Sequence, residues 1–543
     1  MIVALLALPL AGALFMLVPP RRYGVRGTGR PAAGADRADR ADRYAGTVGV
    51  LVSGLTLLVA AFAAATFDHR HPERTAHVID VSWAAAIGLR FHVGVDGASL
   101  PLVVLTALLT FLCLLYLRWA DHATPHGRPL VGLVLLLEVG MLGTFVALDL
   151  LLFFMFFEAV LIPSYFMIAI GGGPRRRTAA YTFIVSMLLG SGVLLVGLMI
   201  IATKGGTLDM VMLARRHGAG MSHATQVAAF LLVGLGFAIM APLWPLHSWL
   251  PGAHTEAPVV GSVLLAGVLL KMGTYGLIRI ALPMAPAGAR VWAPWLGLLA
   301  VVGIVYGALA CLAQRDLKRV IAYSSVATMG FALLGIATLT PAGANAALFG
   351  GVAHGLIIAL LFFLAGAVEA RYGTGDLDAL DGGALPSHVP RPAWALTFAC
   401  LAGLGLPGLA GFWGEMLALL SAYRPGPGLS RPAFVTFMAV GGVGALLTVA
   451  CFLRPLVRLT PRAGAETVTR GGTSAGAGAG TATGTVADTG VASREGGRPV
   501  PDVRPHEYVI WVPLIALTLI AGLWPKTLLD LTDGPVRALL GGG

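Results

Sequence analysis

Eight ionisable residues lie where the surrounding sequence is too apolar to hold them comfortably. Glu138 sits in "LLLEVGMLGTF", Glu158 in "LLFFMFFEAVLIPSYF", Lys271 in "LLAGVLLKMGTYGLIRI", His354 in "FGGVAHGLIIALLFF", and Glu415 ends "GLPGLAGFWGE". His247, His254 and Glu256 crowd the stretch "MAPLWPLHSWLPGAHTEAP". A charge at the centre of a bilayer costs about 2.5–3.5 kcal/mol on insertion scales, so groups kept there point to the movement of protons or ions. Glu138 and Glu158 fall at comparable depth on successive runs, where two carboxylates in one low-dielectric region can share a proton. Lys271 is about fourteen residues into its run, too deep to snorkel to either surface. A lysine so placed either exchanges its proton or holds two helices together as a static ion pair. His354 is either a satisfied core histidine or a relay group, because imidazole both accepts and donates a proton.

The elements that must carry these residues are membrane helices. Of 543 residues, 57% are hydrophobic and 12% charged, about half the charged share of a soluble protein. A soluble chain of this length would split into several charged-surfaced domains. Apolar runs of spanning length occur at about 1–19, 45–67, 99–119, 129–149, 150–171, 179–203, 223–246, 257–282, 292–313, 320–340, 345–370, 393–423, 431–457 and 507–528. The expected fold is therefore an all-α polytopic membrane protein of about fourteen helices. The first run lacks a basic segment before it and reads as a span rather than a signal peptide.

The net charge of +11 does not point to nucleic acid, because the basic residues form no face. Of 37 Lys and Arg, 36 lie in connections or at helix ends, and Lys271 alone sits inside a run. Connections after odd-numbered runs carry 24 of them and the remainder 12, an asymmetry that rests on the first and thirteenth connections. The positive-inside rule then places odd connections in the cytoplasm and both termini outside, in a multi-pass protein of the cell membrane. The first loop, 20–44, and the Gly/Ala/Thr-rich loop 459–506 hold too few apolar residues to fold and are expected to be disordered.

Cys113, Cys311, Cys400 and Cys451 are far apart in sequence and lack metal-ligand or redox spacing, so they read as small buried apolar residues. No metal site, nucleotide fingerprint, iron–sulfur pattern or haem motif is present, and no cofactor or catalytic redox residue is expected in the chain.

Two runs are broken by proline, one at Pro242, Pro245 and Pro251 and the other at Pro407 among Gly408, Gly411 and Gly414. Freed carbonyls at membrane depth must be buried in protein or line a wet cavity. Broken helices at corresponding positions of two halves mark a transport site. The breaks fall in the seventh and twelfth runs, which suggests repeats of runs four to eight and nine to thirteen. The organisation expected is 1–128 (three N-terminal helices), 129–282 (first repeat), 283–458 (second repeat), 459–506 (loop) and 507–543 (last helix and tail).

The blocks "LLLEVGMLGTFVALDLLLFFMFFEAVLIPSYF", "PLHSWLPGAHTEAPVVGSVLLAGVLLKMGTYGLIR", "AQRDLKRVIAYSSVATMGF" and "GLPGLAGFWGEM", over roughly residues 90–425, resemble the M-type antiporter-like subunits of proton-pumping NADH:quinone oxidoreductase, respiratory complex I. The resemblance implies two inverted five-helix repeats with broken helices seven and twelve, and kinship with Mrp-type cation/proton antiporters. It implies a proton line through Glu158, Lys271, His354 and Glu415, with Glu138 beside it. It further implies L- and N-type membrane neighbours, with NADH, FMN, iron–sulfur clusters and quinone handled by partner subunits.

Three positions depart from that family pattern. Met240 stands where a lysine partner for Glu158 is expected, Gly252 replaces an acidic residue in "WLPGAH", and Thr328 replaces a histidine in "SSVATMGF". Three readings follow. The chain pumps with His247 or water in place of the lysine; or it is a structural membrane-arm subunit with an impaired first half-channel; or it serves a variant complex or an Mrp-like antiporter with altered coupling. The first, a working complex I-type subunit, is preferred.

Overall fold

The structure, a computed structural model, describes residues 1–17, 31–119, 127–380, 390–459 and 502–541, with the backbone alone for 31–42 and 459. Among the described residues, twelve helices are long and apolar enough to cross a membrane, from Arg43–Ala65 to Pro505–Leu523. The two remaining expected runs are a sixteen-residue helix, Ile2–Leu17, and a broken pair of fourteen-residue helices, Pro390–Gly403 and Ala410–Tyr423. The helices pack around one buried core. The Val259–Met284 segment, which carries Lys271, is buried from Val260 onward, as expected for a helix apolar on every face.

Two parts of the sequence reading need correction. The fold is not purely helical, because Ala76–Ala84 (β1) and Leu89–Val95 (β2) form an antiparallel hairpin before the third run. The β-branched and aromatic residues of "HVIDVSW" and "LRFHVGV" favour a strand, and Gly88 at φ 71° turns the chain between them. The loop expected over 20–44 is also shorter, since the helix of the second run begins at Pro31. Its Ala-rich "ADRADRADR" places Asp36 and Asp39 four residues before Arg40 and Arg43, a spacing that supports a helix. The rest of the expected loops, 20–30 and 460–501, lies outside the described residues.

The two halves share one structural device. Asp149 caps the helix that begins at Leu150 by accepting from the Leu151 and Leu152 N–H groups, and forms an isolated antiparallel bridge with Asp209. Asp316 likewise caps Leu317–Ala337 by accepting from Arg319 N–H, and bridges to Asp376. Each acid of the second bridge lies 167 residues after its counterpart in the first. The backbone bonds match too: Leu150 N to Leu208 O and Met210 N to Leu148 O in one, Leu317 N to Gly375 O and Leu377 N to Arg315 O in the other. Five apolar segments separate the two caps, so they stand at opposite ends of the bundle.

The end that carries Asp149 is closed by the hairpin and by a C-terminal amphipathic helix, Lys526–Leu540. A Cβ on Gly97 would fall 2.0 Å from Leu531 O, so only glycine allows this helix to seat so closely. Asn345 Nδ2 donates to Asp533 at 2.9 Å, which ties the helix to the long Pro341–Tyr372 helix. A second basic residue lies inside the Lys271 helix: Arg279, near its end, is buried and ion-paired with Asp96.

Candidate functional site

Lys271 and His354 meet in the interior. Lys271 Nζ lies 2.7 Å from His354 Nδ1 and 2.5 Å from Ala266 O, and both side chains are buried. With the lysine cationic, its N–H donates to Nδ1, so the ring proton sits on Nε2, which is 3.2 Å from Ser325 Oγ. Ser325 in turn donates to Ile321 O at 3.2 Å. Three helices, Val259–Met284, Pro341–Tyr372 and Leu317–Ala337, are thus joined by one continuous polar contact. Lys271 is held in a short α-helical stretch, Leu270–Gly276, between two π-helical stretches, Leu265–Leu269 and Leu277–Ala281. Such turns concentrate at functional sites because they re-aim side chains without ending the helix.

From His354 a cavity continues to Glu415, walled by Ser324, Thr328, Gly411 and Phe452. Thr328 spends its hydroxyl on the carbonyl of Ser324 (3.1 Å), one turn back on its own helix. The twelfth run breaks where the sequence places Pro407, with Gly405 and Gly408 at φ 76° and 94°. A Cβ on Gly405 would lie 3.0 Å from a Glu415 carboxylate oxygen, so the break packs directly on the acid. Gly414 lets its helix touch Gly350, four residues before His354, since a Cβ there would be 2.6 Å from Gly350 Cα.

The seventh run breaks as expected. His223–Met240 ends, the chain turns through Pro242, Pro245 and His247, and Trp249–Glu256, containing Pro251, resumes the helix. The indole N–H of Trp249 donates to Ile239 O at 3.0 Å, taking up a carbonyl that the break exposes. His247 is nearly buried, with its ring 5.0 Å from that of Tyr306, and it opens onto a cavity shared with Arg175, Gly252, Glu256 and Arg319. At Gly252 an added Cβ would meet only the Ala179 methyl at 4.0 Å, so the missing acidic side chain leaves open space in the cavity wall.

The expected carboxylate pair is not assembled. Glu138 is fully buried, and neither of its oxygens has a hydrogen-bond partner among the described residues. Glu158 is half-buried and its Oε1 has no hydrogen-bond partner among the described residues, while the Ser191 hydroxyl near it donates to Leu188 O at 3.2 Å. Met240 is buried, so the position where the resemblance implies a lysine offers no charge.

Two residues near Lys271 were underweighted by sequence. Ser325 carried no signal beyond its place in "AYSSVATMGF". His254 was legible as one histidine beside the seventh break, but its depth was not. It is fully buried, neither ring nitrogen has a partner among the described residues, its ring stacks at 5.8 Å on Phe362, and it lies within electrostatic range of Lys271.

The profile of the NADH:quinone oxidoreductase/Mrp antiporter transmembrane family matches residues 147–441, over half of the chain and all of the residues above except Glu138 and Phe452. The chain belongs to this family. It is 35% identical to the NADH-quinone oxidoreductase subunit M of Rhodobacter capsulatus over 98% of its own length and 95% of that chain. It is 41% identical to NAD(P)H-quinone oxidoreductase chain 4 1 of Synechococcus sp. (strain JA-3-3Ab), over 70% of each. Its fold matches a chain of respiratory complex I from Thermus thermophilus with a TM-score of 0.79 at 29% identity, covering 99% of this chain and 100% of that one. It also matches a chain of the Mrp complex from Dietzia sp. DQ12-45-1b with a TM-score of 0.78 at 24% identity, covering 99% and 97%. The family is a transmembrane one, and the chain is a multi-pass membrane protein.

Proposed function

We propose that the chain is a proton-translocating, non-redox membrane-arm subunit of a complex I-like NADH:quinone oxidoreductase. The observation that carries this reading is the line Lys271–His354–Ser325, which leads by a cavity to Glu415. It supplies an ammonium, an imidazole and a carboxyl in order across the bundle, each able to hold or pass a proton. Lys271 acts as central exchanger, His354 as bridge and Glu415 as the terminal group. The chain supplies neither redox chemistry nor a redox cofactor. NADH, FMN, iron–sulfur clusters and quinone belong to partner subunits, and L- and N-type antiporter-like subunits flank it in the membrane.

The matched caps at Asp149/Asp209 and Asp316/Asp376 support an arrangement of two inverted repeats, over 129–282 and 283–458. The charge asymmetry of the connections supports both termini on the outer face of the cell membrane, with the odd connections in the cytoplasm.

A second reading is favoured by one observation. Glu158 has a carboxylate oxygen without a partner among the described residues, and Met240 stands where a lysine partner is expected. The first half-channel is then impaired, and the chain serves as a structural membrane-arm subunit. Purification of the tagged chain in mild detergent tests the assembly: flavin- and iron–sulfur-bearing subunits are expected with it. Antiporter subunits in their place would reject the complex I assignment in favour of an Mrp-like antiporter.

A further inference from the structure

All four cysteines are buried and free, and sequence distance hides that two of them meet. Cys311 lies in the Pro286–Leu312 helix and Cys451, 140 residues later, in Arg431–Leu459. The Sγ of Cys451 donates to Ala308 O at 3.0 Å, one turn before Cys311 on the facing helix. The Sγ of Cys311 donates to Val320 O at 3.4 Å, and the two thiols lie close enough to interact electrostatically. Arg454, one turn beyond Cys451, donates to the carbonyls of Leu312 and Gln314, where the Cys311 helix ends. That clasp fixes the register of the two helices at the level of the sulfurs. Gly444 brings the same helices close two turns away, where a Cβ would lie 2.3 Å from Ile304 Cγ2. Among the described residues no third His, Cys, Asp or Glu completes a metal-ligand set around them.

We propose that Cys311 and Cys451 are an oxidisable dithiol whose disulfide ties the Pro286–Leu312 helix to the Arg431–Leu459 helix. The oxidant is a hydroperoxide, taken up from the membrane or its adjoining surface, since Cys311 lies one residue from the end of its helix. One sulfur, as thiolate, attacks the peroxide oxygen, breaks the O–O bond and becomes a sulfenic acid, releasing an alcohol once the leaving oxygen takes up a proton. The second thiolate then attacks the sulfenic sulfur, forms the S–S bond and expels hydroxide, which leaves as water with the thiol proton. In sum two thiols and one hydroperoxide give one disulfide, one alcohol and one water, with two electrons passing to the peroxide. Phe452, the residue after Cys451, walls the cavity between His354 and Glu415, and its ring abuts Gly403 at the edge of the twelfth-run break. The bond therefore pins one wall of that cavity, a consequence that rests on the proton-translocation reading.

The test uses membrane vesicles containing the full chain in its native complex, treated with cumene hydroperoxide, alkylated with N-ethylmaleimide and analysed by peptide mass spectrometry. A linked Cys311–Cys451 peptide pair is expected. It should revert with dithiothreitol, be absent in Cys311→Ser and in Cys451→Ser, and persist in Cys113→Ser and Cys400→Ser. Both thiols remaining alkylatable, or oxidised to sulfonic acids without linkage, overturns the dithiol whatever the chain's function. Proton translocation by the linked vesicles is expected to fall several-fold and to return with dithiothreitol. A complete crosslink with undiminished translocation overturns the effect on the cavity.

Discussion

Replacing Lys271 with methionine separates two roles that the geometry combines. Methionine keeps the length and volume of the side chain and removes the charge. Two contacts are lost, to Ala266 O at 2.5 Å and to His354 Nδ1 at 2.7 Å. Leaving the imidazole nitrogen unpartnered costs about 1–3 kcal/mol. Against this, the bundle no longer holds an ammonium at mid-depth, a relief of about 2.5–3.5 kcal/mol on insertion scales. The opposed terms are of similar size, so Lys271→Met should leave stability within roughly 2 kcal/mol of the parent. For a chain of this size that is a shift of only a few degrees in Tm, about 2–4 °C per kcal/mol in smaller domains. Translocation should nonetheless be lost, because the line loses its central exchanger and His354 its proton donor. The assay pairs thermal unfolding of the purified complex with proton uptake in reconstituted vesicles, and NADH oxidation by an artificial acceptor monitors the redox arm. Full uptake in the variant would refute the relay. A collapse in Tm would show that the lysine serves as a structural pin.

Other perturbations address separate parts of the molecule. Asp96→Ala leaves Arg279 charged and buried, and removing one partner of such a pair costs about 3–5 kcal/mol, so unfolding of the complex should shift down by several degrees while Asp96→Asn shifts it less. Met240→Lys should raise the protons moved per electron if the first half-channel is impaired; an unchanged ratio would argue that His247 and water already suffice. At Asp209, outside the spans, burial acts to raise the carboxyl pKa, but the His92 ring 3.2 Å away and the Met212 N–H outweigh it and hold the pKa below the ordinary value. The stabilisation it gives is therefore present above about pH 4 and lost as the pH falls through the lowered value. Amide exchange across Leu89–Val95 should accelerate there, and Asp209→Asn should flatten that dependence. Gly414→Val should drive a side chain into Gly350 Cα and reduce translocation with Lys271 and His354 intact, read by the same vesicle assay.

The parts of this molecule that sequence made legible share one property: each is rare against its background. Lys271, His354 and Glu415 stood out because so few ionisable residues interrupt the apolar runs, and the two breaks stood out because proline cannot donate within a helix. What stayed hidden depends on which helix faces which. Nothing in the spacing of Glu138 and Glu158 tells that their carboxyl groups are not bonded to each other. Cys311 and Cys451 looked isolated for the same reason. Arg279 was counted as a helix-end charge because its partner, Asp96, lies 183 residues earlier in the chain. The hairpin was missed because two short strands between long apolar runs carry a weak period-two signal.

The paired aspartate caps also set a common ruler for the two halves. Nine residues after Asp149 stands Glu158, and nine residues after Asp316 stands Ser325. Ser325 reaches His354 on its next helix, Pro341–Tyr372, whereas Glu158 places a carboxyl near Ser191 of its next helix, Arg176–Gly205. The same address is thus occupied twice, by an acid in one copy and by a hydroxyl in the other. A duplicated scaffold of this kind separates where a proton group stands from what group it is. Side chains can be exchanged at a fixed address without redrawing the backbone, and Met240 reads as one such exchange.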